Sequence, residues 1–286
     1  MINKNFFWLV KFVATVIVVT VFIHLASAQT EYGDFTYEKK AIKERSIIPY
    51  PPLREADVMM MWRIQRIIDS REKMNVIMKW PRSPLYRIIY EAVTQGYGSA
   101  PITAYKNDSL ISFYTAEEIL KLGGEEEVIQ IYPDPENYPD YYIDSTVINP
   151  FRPEKIIKYR LMEDYIFDKQ RSMFFWRIIA IAPMYKPRVG GVELNEQEMF
   201  WVKWEDFKKI LVSQEIFNRH NDAMRMNYLD WFEHRMFTSY ITKESNAFDY
   251  AITQFEEFKS STLDAFLESE KIKEKLFNWE HDLWEW

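Results

Sequence analysis

Residues 156–182 constrain this chain more than any other stretch, because two apolar alternations meet there across one polar turn. In the first arm Ile157, Tyr159, Leu161, Tyr165 and Phe167 recur at every second position, broken only by Glu163, while Lys158, Arg160 and Asp164 fall on the other side. A period of two marks a strand with one face buried. In the second arm both alternating sets are apolar, Phe174, Trp176, Ile178 and Ala180 on one side and Met173, Phe175, Ile179 and Ile181 on the other. Such a strand is covered on both faces and sits centrally in its sheet. With Asp168-Lys169-Gln170-Arg171 as the loop, Phe167 pairs with Ser172, and Tyr165, Leu161 and Glu163 stand opposite Phe174, Ile178 and Trp176. Arg177 is the one charge in the second arm, diagonal to Asp164 in this register. An Arg177 to Asp164 ion pair is the expected use of it, with a partner-facing role as the alternative.

The rest of the chain is long enough to build on that hairpin. Its 286 residues are 48% hydrophobic and 17% aromatic, which excludes a disordered chain and leaves room for one large domain or two modest ones. The start reads as a secretory signal over residues 1–28: Lys4 and Lys11, an apolar run over 12–25, then Ala26-Ser27-Ala28 before Gln29. A single membrane anchor is the alternative for that segment. There is no cysteine, so disulfides, thiolate metal sites and a lipid-modified N-terminal cysteine are all excluded. No later run approaches the ~18 apolar residues of a spanning helix, so membrane attachment of the processed chain would run through a partner. The formal charge of −7 argues against a nucleic-acid partner.

The expected fold class is α+β: two small mixed α/β lobes with antiparallel strands plus a C-terminal helical region. An extended arm over 29–53 ends in Ile47-Ile48-Pro49-Tyr50-Pro51-Pro52. The first lobe, 54–132, opens with a helix over 54–79 that carries Met60, Ile64, Ile67, Met74 and Met78, with Arg71 in the remaining place of that series. Leu85, Ile88, Ile89 and Val93 carry a second helix, followed by a hairpin of 102–106 with 110–114 and a helix over 115–122. A linker over 133–153 holds five prolines and the acids Asp134, Glu136, Asp140 and Asp144, whose spacing lacks the pattern of a calcium loop. The second lobe covers 154–218, where residues 200–207 echo 112–119. In the helical region, 219–286, Met226, Leu229, Phe232, Met236 and Tyr240 form one stripe, and a final helix from Leu263 sets Ile272, Leu276, Trp279, Leu283 and Trp286 on a seam. Such a seam packs on its own domain first and on another subunit second.

The residues offer no catalytic, cofactor or metal site. His220, His234 and His281 lack zinc spacing, the seven glycines form no phosphate cradle, and no Gly-x-Ser-x-Gly elbow occurs. Glu117-Glu118 and Glu125-Glu126-Glu127 point to different sides and suit solvent. Aromatic surface is what abounds: ten tryptophans, eighteen tyrosines and twenty phenylalanines, more large rings than the interior should need. Protein docking is therefore the expected work; a periplasmic carbohydrate-binding protein or hydrolase is the alternative.

Several segments, taken in order, resemble one family. They are Met61-Trp62-Arg63 with residues 68–75, then Glu163-Asp164-Tyr165-Ile166-Phe167-Asp168-Lys169-Gln170-Arg171-Ser172, then residues 177–183, Lys243-Glu244-Ser245-Asn246, and 267–275 running into 278–286. Together they are similar to the gliding-motility family GldN, also called PorN, of the type IX secretion system of Bacteroidetes. The family pattern carries phenylalanine where Trp279 and Trp286 stand here, a ring-for-ring exchange; residues before 54 and over 123–153 match poorly. The resemblance implies a non-enzymatic periplasmic protein that forms a ring with an outer-membrane lipoprotein, GldK or PorK, and meets the periplasmic part of the motor protein GldM or PorM. It implies no cofactor. The residues expected to touch partners are Trp62, Arg71, Arg177, Trp279, Trp284 and Trp286.

Overall fold

The structure, a computed structural model, describes residues 45–97, 100–131, 143–189, 192–219, 221 and 223–283. The expected signal segment, residues 29–44 of the arm, His220, Trp284, Trp286 and the acids at 134–140 lie outside the described residues. The strands are β1 (Val58–Asp69), β2 (Ala104–Tyr105), β3 (Glu125–Ile131), β4 (Ile143–Asn149), β5 (Lys158–Asp168), β6 (Met173–Tyr185), β7 (Arg188–Val189), β8 (Val192–Glu193), β9 (Gln197–Glu198), β10 (Trp201–Lys203), β11 (Glu215–Ile216), β12 (Met226–Asn227) and β13 (Tyr240–Glu244). The helices are α1 (Leu85–Thr94), α2 (Ala116–Lys121), α3 (Trp204–Leu211), α4 (Tyr228–Glu233), α5 (Glu256–Lys259) and α6 (Thr262–Asp282). Antiparallel strands with helices confirm the α+β class.

Seven strands make one antiparallel sheet in the order β13-β1-β5-β6-β10-β2, with β9 on the far end of β6. The expected hairpin is its centre, β5 with β6. Its register lies two residues from the predicted one, pairing Phe167 with Phe174, Tyr165 with Trp176 and Glu163 with Ile178. The cause is Asp168, which stays in the strand opposite Met173 and accepts hydrogen bonds from the Gln170 amide at 2.9 Å and Arg171 at 2.5 Å, while Ser172 turns the chain at φ 49°. A slip of two leaves every side chain on its face. A bulge at Ile179 then crosses the sets, so Ile181 joins the face of Trp176 while Ala180 pairs with Met162 on the other.

The first expected helix is instead the strand β1, which pairs along its length with β5 and, over residues 64–67, with β13. Steps of four between Met60 and Ile64 fit a helix and a strand face equally. Trp62, Ile64 and Ile68 are good strand formers, and neighbours on both sides supply the ladder bonds that decide the matter. Two further differences follow from the same sheet. Strands from the segments expected as separate lobes, 54–132 and 154–218, meet in it, and the C-terminal region adds β13 as an edge strand where only helical segments were expected. The predicted stripe from Met226 to Tyr240 is accordingly divided among β12, α4 and β13. Helices α1 and α2 and the long terminal α6 stand where predicted, α2 opened by a capping box of Thr115 with Glu118.

One face of the sheet carries two cores. The larger packs Ile68, Tyr159, Leu161, Ile178 and Ile181 against α1, α3 and α4, with Trp204, Trp231 and Phe232 fully buried in edge-on ring contacts at 5.2 and 4.9 Å. The smaller packs Ile64, Tyr165 and Ile241 under Ala265, Ile272 and Leu276 of α6. Ser269 of α6 accepts the Ile241 amide at 2.9 Å, satisfying a donor of the edge strand, and the Tyr165 hydroxyl donates to the Leu276 carbonyl at 3.2 Å. Met162, Ala180, Ala182 and Trp201 cover the opposite face.

Candidate docking surfaces

Between the two cores sits a fully buried charge. Glu163 has no exposed surface, and it lies on β5 between Leu161 of the larger core and Tyr165 of the smaller. Arg235 grips it with Nη1 and Nη2 at 2.7 and 3.1 Å, and Arg66 Nε approaches Oε2 at 2.6 Å, out of line for a hydrogen bond. Both guanidiniums also lie over the Trp176 ring, at 4.7 Å for Arg66 and 4.4 Å for Arg235. Burial pushes the Glu163 carboxyl up, but the two arginines outweigh it and hold it below its ordinary value, while burial brings Arg66 down to about 10. A carboxylate fixed as an anion in this way moves no proton near neutral pH. Its work is to seat Arg66 and Arg235. In the sequence only the break in alternation at Glu163 marked the place; nothing marked its two partners.

The residues expected to touch partners have separate fates. Trp62 and Trp279 come together, centroids 4.4 Å apart, each half-buried at the rim of the smaller core, with Lys275 4.8 Å from the Trp279 ring. The terminal seam therefore packs at least in part on its own domain. Arg177 does not pair with Asp164, because Arg63 holds that carboxylate at 2.8 and 3.1 Å from the neighbouring strand. Instead Arg177 donates to the Pro51 carbonyl at 2.7 Å and lies 5.2 Å from the Tyr50 ring. It fastens the described part of the arm, 45–53, to the chain's own body, where Arg45 pairs with Asp230 and Tyr50 donates to Glu233. Burial, and then the Glu233 carboxylate, push the Tyr50 hydroxyl well up, so it remains a donor.

Arg71, in the turn after β1, forks onto Asp69 and lines a cleft of about 390 Å³ with Lys158, Lys186, Arg188 and the carboxylates Glu193 and Glu196. Lys158 binds Glu196 at 2.6 Å, which Lys186 shares at 3.9 Å, and Arg188 binds Glu193 at 3.4 Å; with Lys155 also in its lining, the cleft holds more cations than carboxylates. Among the described residues no group of histidine and carboxylate side chains is placed to hold a metal, and no helix is long and apolar enough to cross a membrane. Large apolar side chains do gather outside. Leu263, Phe266, Leu267 and Phe277 are exposed on the side of α6 away from the smaller core, and Phe248 and Tyr250 are exposed on the turn after β13. Solvated apolar groups of this kind are the usual mark of docking surfaces. None was singled out from the sequence, because a helix seam reads more strongly than the residues opposite it.

A family model described as gliding motility associated protein GldN matches residues 53–285. No curated protein matches the chain.

Proposed function

The chain belongs to the GldN family of gliding-motility-associated proteins, and from that premise we propose that it is a structural, non-enzymatic periplasmic subunit of the type IX secretion machinery. In this reading it repeats around a ring with a GldK- or PorK-like outer-membrane lipoprotein, which holds it to that membrane, and it is met by the periplasmic part of a GldM- or PorM-like motor protein. The observation that carries the reading is the extent of the family match, which takes in nearly all of the described body. Grouped apolar side chains on the outer side of α6 add to it. Repetition around a ring needs two different faces on each copy. Arg71 and the end of α6, with Trp279, Trp284 and Trp286, are proposed for contacts between subunits. Trp62 supports Trp279, and Arg177 serves by holding the arm.

The test is affinity purification of the tagged chain from detergent-treated envelopes, followed by negative-stain imaging. Co-purification of a lipoprotein in ring-shaped particles is expected. Recovery of a solitary monomer would overturn the reading, and a sugar-dependent rise in its melting temperature would favour a carbohydrate-binding protein.

A further inference from the structure

We propose that the groove between the 246–250 turn and α6 is a docking site for a partner segment that sets an aromatic or branched apolar side chain beside lysine or arginine. The turn is built on Asn246. Its side-chain nitrogen donates to the carbonyls of Glu244 and Tyr250, both at 2.8 Å, and its oxygen accepts from the amides of Phe248 at 3.1 Å and Tyr250 at 3.0 Å. All four hydrogen-bonding positions of one amide are thus spent on a single bend. Asp249 adopts φ 57° within it and binds Lys243 at 2.7 Å, and the Ser245 amide donates to the Arg63 carbonyl of β1 at 2.9 Å. The Lys-Glu-Ser-Asn run therefore acts as one rigid fitting on the end of the edge strand.

What this fitting holds is two rings in water. Phe248 is 69% exposed and Tyr250 45%, their centroids 5.6 Å apart, with Tyr250 edge-on to Phe255 at 5.7 Å. A locked backbone that presents apolar rings to solvent gains only part of their burial in the monomer, whereas a partner covering them has little conformational entropy left to overcome. The groove beside them has a volume of about 930 Å³ and is floored by Ile252, Phe258 and Ile272. That is room for a few side chains.

The rim selects the charge of the occupant. Glu244, Glu256, Glu257 and Glu268 line the groove against one ammonium, Lys271. Lys271 is held by Glu268 at 3.1 Å and Glu244 is met by Lys275 at 3.2 Å, which leaves Glu256 and Glu257 without a cationic partner among the described residues. Their place in the first turn of α5 suits the helix dipole, but the dipole does not explain the rings beside them. A negative rim over an apolar floor attracts cations and rejects an acidic segment.

The proposal deepens the reading of the chain as a docking subunit, and its test runs on the purified protein, so either can fail alone. Random nine-residue peptides displayed on phage are selected against the full chain, and enriched sequences are resynthesised and titrated by fluorescence polarisation. Enriched peptides are expected to place Lys or Arg beside Phe, Trp, Leu or Ile. Replacing both rings, Phe248→Ala with Tyr250→Ala, should weaken them by about tenfold or more. Glu256→Lys with Glu257→Lys should weaken them similarly and reverse the sign of their salt dependence, which keeps the test sound should the ring variant fold poorly. No enrichment, an acidic or uncharged consensus, or unchanged affinity in the charge-reversed variant would overturn the proposal. So would a dimer that dissociates in the ring variant, since a second copy would then be the occupant.

Discussion

The two cores on one face of the sheet differ in how each is held. The larger is closed by several short helices whose tryptophans and phenylalanines interlock, and the buried Tyr228 hydroxyl within it donates to the Ser83 carbonyl at 2.7 Å. The smaller depends mostly on one helix, with Ile252 and Phe258 from the segment before it. Small and aliphatic residues of α6 cover Ile64, Tyr165 and Ile241, and the Trp62 and Trp279 pair closes its rim. Dividing them, Glu163, Arg66 and Arg235 form a charged wall through otherwise apolar packing. The contrast separates a region held by several elements from one with less to hold it, because stability is set by how much apolar surface each element buries.

The sharpest way to break this contrast is in the larger core. Trp204→Ala removes a fully buried ring and should cost about 5 kcal/mol, unfolding both cores together because β1 and β5 run through each. A urea melt followed by tryptophan fluorescence and by circular dichroism should show one coincident transition. Two separated transitions would mean that the cores are independent.

A smaller effect is expected at the wall. Glu163→Gln leaves two guanidiniums facing a neutral amide and should cost about 3 kcal/mol. Because the folded chain lowers the Glu163 pKa from its ordinary 4.5, the carboxylate's contribution is whole above that value and is lost as pH falls through the lowered one. The urea midpoints of the wild type and Glu163→Gln should therefore converge on acidification. A gap that stays constant down to about pH 3 would show that Glu163 does not titrate with folding.

The smallest effect should come from the rim of the minor core. Trp279→Ala deletes a half-buried ring and is expected to cost about 1 to 2 kcal/mol, concentrated in α6. Amide exchange should quicken in α6 while β5 and β6 stay protected. Equal quickening in both would deny the smaller core any separate stability. Loss of ring assembly at unchanged exchange would make Trp279 a contact between subunits.

How far the sequence could be read follows the range of the interactions involved. The β5–β6 hairpin was legible because alternation is visible within a dozen residues, and α6 because its seam repeats over several turns. β1 was not, since Met60, Ile64 and Ile67 satisfy a helical period while its strand neighbours lie far along the chain. The register was missed for a local reason, the Asp168 carboxylate capping the turn one residue later than expected. The Arg177 partner was missed for a distant one, because Arg63, 101 residues away in sequence, had already taken Asp164. The exposed rings at 248 and 250 carry no periodicity at all; a lone asparagine at the end of a strand was their only sign.

The sequence by itself determined the central hairpin, the amphipathic terminal helix and the exclusion of thiol chemistry, since each depends on residue type or on spacing within one element. The tertiary structure alone decided that two expected lobes share a sheet, that Glu163 is gripped by arginines from β1 and from beyond α4, and that one tryptophan pair closes a second core. Alternation fixes which way a side chain points. What it meets there is set by packing across the sheet, where long-range neighbours outweigh the weak local preferences of any one segment.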